Sequence, residues 1–413
     1  MRWFEMGRVV PATGMALCLS FMFQGAGAQS LSLDVAIAAA LARHPQLRAV
    51  VLEREASAGA TQQAGAWLNP ELSTLVEDTR SATRTTTLQL TQPMELGGKR
   101  LARIQAAEAA QAQADLEVSA MRAQVTAQVM AAFHGLAMAQ EKVRLSDELS
   151  RIATQAREMA AKRVQAGKVS PVEEVKAQVA QAQALSAASA AQGEWRAAMS
   201  LLRQAVGNPD VRFDRVEGIA GSLPSAQRWQ PLTPLLEASP AMLRAQQEVM
   251  RRQALGALEK ARRVPDVALT LGAKRDAQMG RSQAIAGVSL VLPLFDRNQG
   301  AILEATRRED KARVELEVIR ADLQTQAEQA LAQLEAALTQ AQAMQRSVLP
   351  AARQAFAAST KGYELGKFGY LDVLDAQRTL FEAETHALNV AAQAHQADAR
   401  LVALLGEPTP KKD

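Results

Sequence analysis

The chain has one cysteine, Cys18, and it lies in an N-terminal leader. Everything after the leader is therefore free of disulfides and of thiolate metal sites. Aromatic residues make up only 4% of the sequence, while Ala, Gln, Leu, Glu and Arg dominate, a composition suited to long packed helices rather than to a thick globular core. No run of 18 apolar residues occurs beyond the leader, so no helix is expected to span a bilayer. If the protein enters a membrane, it does so with strands. Neither sign of charge is in large excess: without Arg2, Glu5 and Arg8, 45 basic and 42 acidic residues remain. That balance gives no electrostatic case for nucleic acid.

The leader, residues 1–28, carries Arg2 and Arg8, an apolar stretch from Gly14 to Phe23, and Ala26-Gly27-Ala28. This is the pattern of a secretory signal cleaved near Ala28, with an apolar stretch too short to be a membrane anchor. Leu17, before the cysteine, is too large for lipoprotein processing.

What the sequence does contain is a repeat. Leu88–Arg100 (LQLTQPMELGGKR) is answered by Ser289–Gly300 (SLVLPLFDRNQG). Pro45 and Pro240, and Pro70 and Pro265, are 195 residues apart; Pro93 and Pro293, Gly167-Lys168 and Gly366-Lys367, and Gly207 and Gly406 are 199 or 200 apart. Each copy reads as strand, strand, long helix, turn and returning helix, and such a repeat fixes architecture more firmly than any single motif. The expected units are 29–210 and 241–406, with a proline-rich linker over 211–240 and a disordered tail over 407–413.

Within the first copy, 32–66 reads as one helix stopped at Asn69-Pro70. Strands are expected over 71–80 and 84–93, and in the second copy over 265–274 and 283–293. In each, apolar and polar side chains alternate as in membrane barrels. From Lys99 to Gln165 no proline interrupts a pattern of apolar residues spaced by three and four. A helix of about 65 residues would reach roughly 100 Å. The expected hairpins are 97–206 and 298–405. Helices of that length need neighbours along their whole extent. Four strands cannot close a barrel, and open edges in hydrocarbon would leave backbone groups unpaired. The chain must therefore oligomerise. Three copies would supply twelve strands and a helical tube.

Gln92–Arg100, Leu292–Gly300 and Tyr363–Arg378 (YELGKFGYLDVLDAQR) resemble the TolC family of outer-membrane efflux ducts, over essentially the whole mature chain. The form ELGGKR resembles its cobalt-zinc-cadmium branch. The resemblance implies a mainly α fold with a small β part, in which a homotrimeric outer-membrane barrel continues into a periplasmic α-helical barrel. Its implied partners are a periplasmic adaptor, an inner-membrane pump of the RND type and outer-membrane lipid. It places Asp372 and Asp375, with Glu173 and Glu174 of the first copy, at a periplasmic aperture, where converging carboxylates favour cations. It places Gly167, Lys168, Val172, Gly366, Lys367 and Leu371 at tips that dock the adaptor. Pro93 and Pro293 are expected to end strands, Gly97, Gly98 and Gly300 to bend the chain from barrel to tube, and Lys99 and Arg100 to mark the membrane boundary.

Other functions find little support. His44, His134, His386 and His395 are scattered through helical segments, and the last two are nine residues apart on nearly opposite faces; they read as packing or surface residues. No phosphate loop or catalytic triad occurs in a suitable context, so neither enzymatic activity nor a cofactor is expected. A soluble coiled-coil scaffold would explain the helices and leave the duplicated strands without a purpose. A duct of the same family serving a drug pump or a type I secretion system stays open as the alternative, since a passive tube leaves the choice of cargo to its partners.

Overall fold

The computed structural model describes residues 30–207, 213–217 and 222–407. The expected signal peptide, and the tail beyond Glu407, lie outside them. The chain begins with β1 (Ser30–Leu31), α1 (Leu33–Arg43) and α2 (Pro45–Ala64). Here the single helix expected over 32–66 is two, meeting at a bend of 42°. The cause is His44, which precedes Pro45 and takes ψ 125°, because the proline ring excludes the helical conformation from the residue before it.

Strands β2 (Glu71–Glu77) and β3 (Thr85–Met94) lead into α3, Lys99–Gln165, a single helix of 67 residues. It reaches roughly 100 Å at 1.5 Å per residue. Helix α4 (Pro171–Val206) returns beside it. In the stretch that follows, β4 (Arg215–Val216) pairs in parallel with β1, and a 3-10 turn over Ala226–Trp229 and α5 (Leu232–Glu237) lie along the helical body. The second copy comprises α6 (Pro240–Arg262), β5 (Val267–Asp276), β6 (Arg281–Leu290), α7 (Gln299–Ala343), α8 (Leu349–Glu364) and α9 (Tyr370–Leu405). Both strands differ from expectation: β5 starts two residues later than 265, and β6 ends three residues before Pro293. Between α7 and α8 one π-helical turn, Met344–Val348, carries the helix past Pro350 without ending it. A wider turn absorbs the hydrogen bond that proline cannot donate.

The two strand pairs form one antiparallel sheet in the order β2-β3-β5-β6. The join between copies runs from Thr85 opposite Asp276 to Met94 opposite Val267. One face carries Leu72, Val76, Leu88, Leu90, Leu269, Leu271, Val288 and Leu290; the other carries Thr87, Gln89, Thr91, Thr270, Lys274 and Gln283. Among the described residues no single helix is long and apolar enough to cross a membrane.

The helical core is built mostly of alanine. Val125, Val129, Phe133 and Leu136 of α3 pack against Ala36 and Ala40 of α1 and Leu202 of α4, while Ala327, Ala330 and Leu334 of α7 meet Val390, Ala394 and Leu401 of α9. Small side chains let helix axes approach closely. Trp229 fills a fully buried position in this core, so the stretch between copies is anchored to the body.

Candidate functional site

Three regions hold the functional candidates: the helical tips, the junction of strands and helices, and the crossing of α3 with α9.

At the tips the two copies end their descending helices in the same way. Gly167 (φ +67°) and Gly366 (φ +72°) take the left-handed conformation. Gly167 N–H donates to Val164 O and Lys168 N–H to Arg163 O; Gly366 N–H donates to Tyr363 O and Lys367 N–H to Gly362 O. This is the Schellman arrangement, which satisfies the last carbonyls of a helix. A Cβ at either glycine would meet nothing within 4 Å, so the requirement is one of backbone angle and not of space. Gly362 is the opposite case, since a Cβ there would collide with the Phe368 ring.

The tips are fastened to each other. The Arg163 guanidinium lies 3.9 Å from the centre of the Tyr363 ring and donates to the Tyr363 carbonyl at 3.1 Å. Tyr363 and Tyr370 are both buried, with ring centres 5.8 Å apart. Burial and the neighbouring tyrosine push the Tyr370 hydroxyl up to about 12. Around them Val172, Leu365, Phe368 and Leu371 stand exposed.

The four expected aperture carboxylates are not equivalent. Asp372 Oδ2 accepts the Gly369 N–H at 2.8 Å and so caps its own helix, α9. Asp375 is exposed beside Arg378. Glu173 and Glu174 lie in the first turn of α4, half-buried, where the helix dipole favours them.

At the junction, the glycines of ELGGKR take φ +70° and +75°. A Cβ on Gly97 would come within 2.5 Å of Val264. Lys99 Nζ pairs with Asp266 at 2.7 Å, and Arg100 donates to the Gly65 carbonyl at 2.8 Å and covers Trp67. Arg103, one turn further along α3 and outside the ELGGKR motif, pairs with Glu95 and donates to the carbonyls of Ala64 and Ala66. These cations therefore tie the start of α3 to the end of α2 and to Asp266, the residue that leads into β5. In the second copy the bend belongs to Asn298, φ +58°, whose side-chain amide donates to the Glu259 carbonyl. Gly300 lies inside α7 and makes no bend, a correction with a simple cause: asparagine tolerates the left-handed region, so no glycine was required. Pro93 is inside β3, opposite Ala268 and past the end of β2, where the strand has only one neighbour and the missing N–H is tolerated. Pro293 lies within the irregular segment after β6, three residues past its end, and is not what ends that strand.

The third region was not legible in the sequence. His134 of α3 and His395 of α9 are stacked, with ring centres 3.6 Å apart and planes 12° from parallel, and both are buried. Burial, and then the charge of His395, hold His134 down to about 3; burial also lowers His395, against the opposing pull of Asp398. Both rings are therefore neutral at ordinary pH. His134 Nδ1 and His395 Nε2 have no partner among the described residues. One turn along α9, buried Asp398 accepts from Trp229 Nε1 at 2.9 Å and from Arg228 at 3.1 and 2.5 Å. Stacked neutral rings are packing groups. Among the described residues no cluster of three or more His, Cys, Asp or Glu could hold a metal ion.

The outer membrane efflux protein model matches residues 36–208 and 232–407, both copies of the repeat. The chain belongs to that family. This efflux protein is 41% identical over 394 residues to the cobalt-zinc-cadmium resistance protein CzcC of Cupriavidus metallidurans, covering 95% of this chain and 94% of that one. It is 29% identical to the nickel-cobalt-cadmium resistance protein NccC of Alcaligenes xylosoxydans xylosoxydans, covering 79% and 76%. Its fold is that of solved outer-membrane channels: CusC, with a TM-score of 0.76 at 19% identity over 94% and 95% of the chains, and VceC of Vibrio cholerae, at 0.75 and 20% over 91% and 96%. The protein is thus an outer-membrane efflux channel of TolC-like fold with its helical body in the periplasm, and its family is one of ducts rather than enzymes.

Proposed function

We propose that three copies form a closed barrel and tube through which divalent metal cations, of the cobalt, zinc and cadmium class, pass passively from a periplasmic adaptor and an inner-membrane RND-type pump to the exterior. The cargo reading rests above all on the 41% identity, across nearly the full length of both chains, to a protein of cobalt-zinc-cadmium resistance. Assembly rests on the four-stranded sheet, whose outer strands β2 and β6 each have one free edge. Open edges are untenable in hydrocarbon, and the alternation of side chains gives a lipid face and a wet face. Energy is supplied by the pump. The repeats over 29–210 and 241–406 supply one helical hairpin each, two per chain, to the trimer, the exposed apolar residues Val172 and Leu371 face the adaptor, and Asp372, Asp375, Glu173 and Glu174 border the aperture.

Deleting the gene in its native host should lower tolerance to cobalt, zinc or cadmium salts, and a plasmid copy should restore it. Increased sensitivity to hydrophobic drugs alone, with metal tolerance unchanged, would refute the cargo and leave the duct standing.

A further inference from the structure

The charged residues of the four strands are sorted by face, with one exception. Register places Glu71, Glu77, Lys274, Asp276 and Arg281 on the polar face. Arg275 alone stands on the apolar face, exposed, directly after Ala273, Leu271 and Leu269 in the outward series. Arg84 has the same parity one residue before β3; its carbonyl accepts the Ala277 N–H, and its side chain reaches the Thr79 carbonyl at 3.1 Å. Because Thr86 lies opposite Arg275, Arg84 and Arg275 are diagonal neighbours, about 7–8 Å apart.

Neither arginine has an ion pair among the described residues, and the acids nearby are engaged elsewhere. Asp78 accepts from Arg80 and Thr83 within its turn, Asp276 accepts the N–H groups of Gln278 and Met279, and Glu77 lies 3.7 Å from Lys274 on the polar face. Height fits a boundary position. Val267 and Arg275 are eight residues apart on β5, about 27 Å along the strand and about 21 Å across a bilayer at a tilt of ~40°. An arginine at the centre of that band would be costly, but at its far edge it costs little and meets phosphate.

On the reading of this sheet as a membrane barrel, we propose that Arg84 and Arg275 form a clamp for the phosphate groups of an anionic lipid in the leaflet farthest from the helical body. Two guanidinium forks on one face match phosphate oxygens in a bidentate manner that a lysine would not. Repulsion between the two cations is relieved when the anion lies between them.

Native mass spectrometry of the detergent-extracted protein tests this with diphosphorylated lipid A, phosphatidylcholine and inorganic phosphate as probes. The parent should retain the phosphorylated lipid about tenfold more strongly than the zwitterionic one, the gain of one charge-assisted hydrogen bond. Arg84→Gln with Arg275→Gln should erase that preference, while Lys274→Gln with Arg281→Gln, on the polar face, should keep it. Equal preference in the parent and the first variant would overturn the proposal. So would an equal loss in the second variant, or displacement of the lipid by inorganic phosphate at matched concentration. Assembly is read from the mass in the same spectrum, so an absent trimer with the lipid preference intact would count against the duct and not against the clamp.

Discussion

The stacked histidines make the stability of the helical body depend on pH in a direction that can be worked out. His134 is held down to about 3 from an ordinary value of 6.5, so the native state refuses a proton that the unfolded state accepts. Its contribution is fully present above pH 6.5 and is lost progressively as pH falls from 6.5 toward 3. At pH 5 the gap of about 1.5 pH units corresponds to about 2 kcal/mol. His395, lowered by the same burial, acts in the same direction. Replacing His134→Phe keeps a ring for stacking and removes both the titration and the unpartnered Nδ1. The variant should match or exceed the parent at pH 7.5 and exceed it by about 2 kcal/mol more at pH 5. Denaturant unfolding of detergent-solubilised protein, followed by far-ultraviolet circular dichroism at both pH values, measures this. Acidic side chains elsewhere titrate in both proteins and cancel. If the difference between variant and parent is the same at pH 7.5 and pH 5, the reasoning is wrong.

Three further outcomes follow from the geometry. Gly366→Ala should weaken the tip by about 1 kcal/mol through its left-handed backbone alone, and Gly366→Asn by less; hydrogen exchange over 360–370 should rise while the oligomer's mass stays unchanged. Gly362→Ala should cost about 1–3 kcal/mol by displacing the Phe368 ring, and adding Phe368→Ala should return most of the loss in thermal unfolding. Asp398→Ala should lower stability by about 2–4 kcal/mol, because it leaves the Trp229 indole N–H buried without an acceptor and Arg228 without its partner; denaturant titration checks the size.

The parts of the fold set by local chemistry were legible in the sequence. The apolar spacing of three and four between Gly97-Gly98 and Gly167-Lys168 marked out α3, and the alternation of Thr and Leu in β3 gave its two faces. The bend at His44 could have been read from the proline after it. At the junction of the second copy glycine is a misleading marker: Gly300 is helical, and the left-handed residue is Asn298, at the same offset of 200 from Gly98. What no periodicity could show is which helices cross. His134 and His395 are 261 positions apart in sequence and meet only because α3 packs against α9. The sorting of strand charges was hidden by the strand's end: the expected strand stops at Lys274, whereas pairing carries β5 on to Asp276 and so brings Arg275 onto the apolar face. Asp372 was singled out for its charge, and the structure adds that its carboxylate caps α9.

The central claim, that three chains complete one barrel, has a direct test in the missing cysteines. Residues 30–407 contain none, so pairs introduced on β2 and β6 report only on themselves. Within one chain these strands are separated by β3 and β5, about 14 Å, twice the reach of a disulfide. A scan pairing Leu75→Cys with successive β6 positions from Gln283→Cys to Ser289→Cys, oxidised in outer-membrane fractions and run on denaturing gels without reductant, should yield covalent trimers at one register. Single-cysteine variants should not. Monomers at every register would contradict the account.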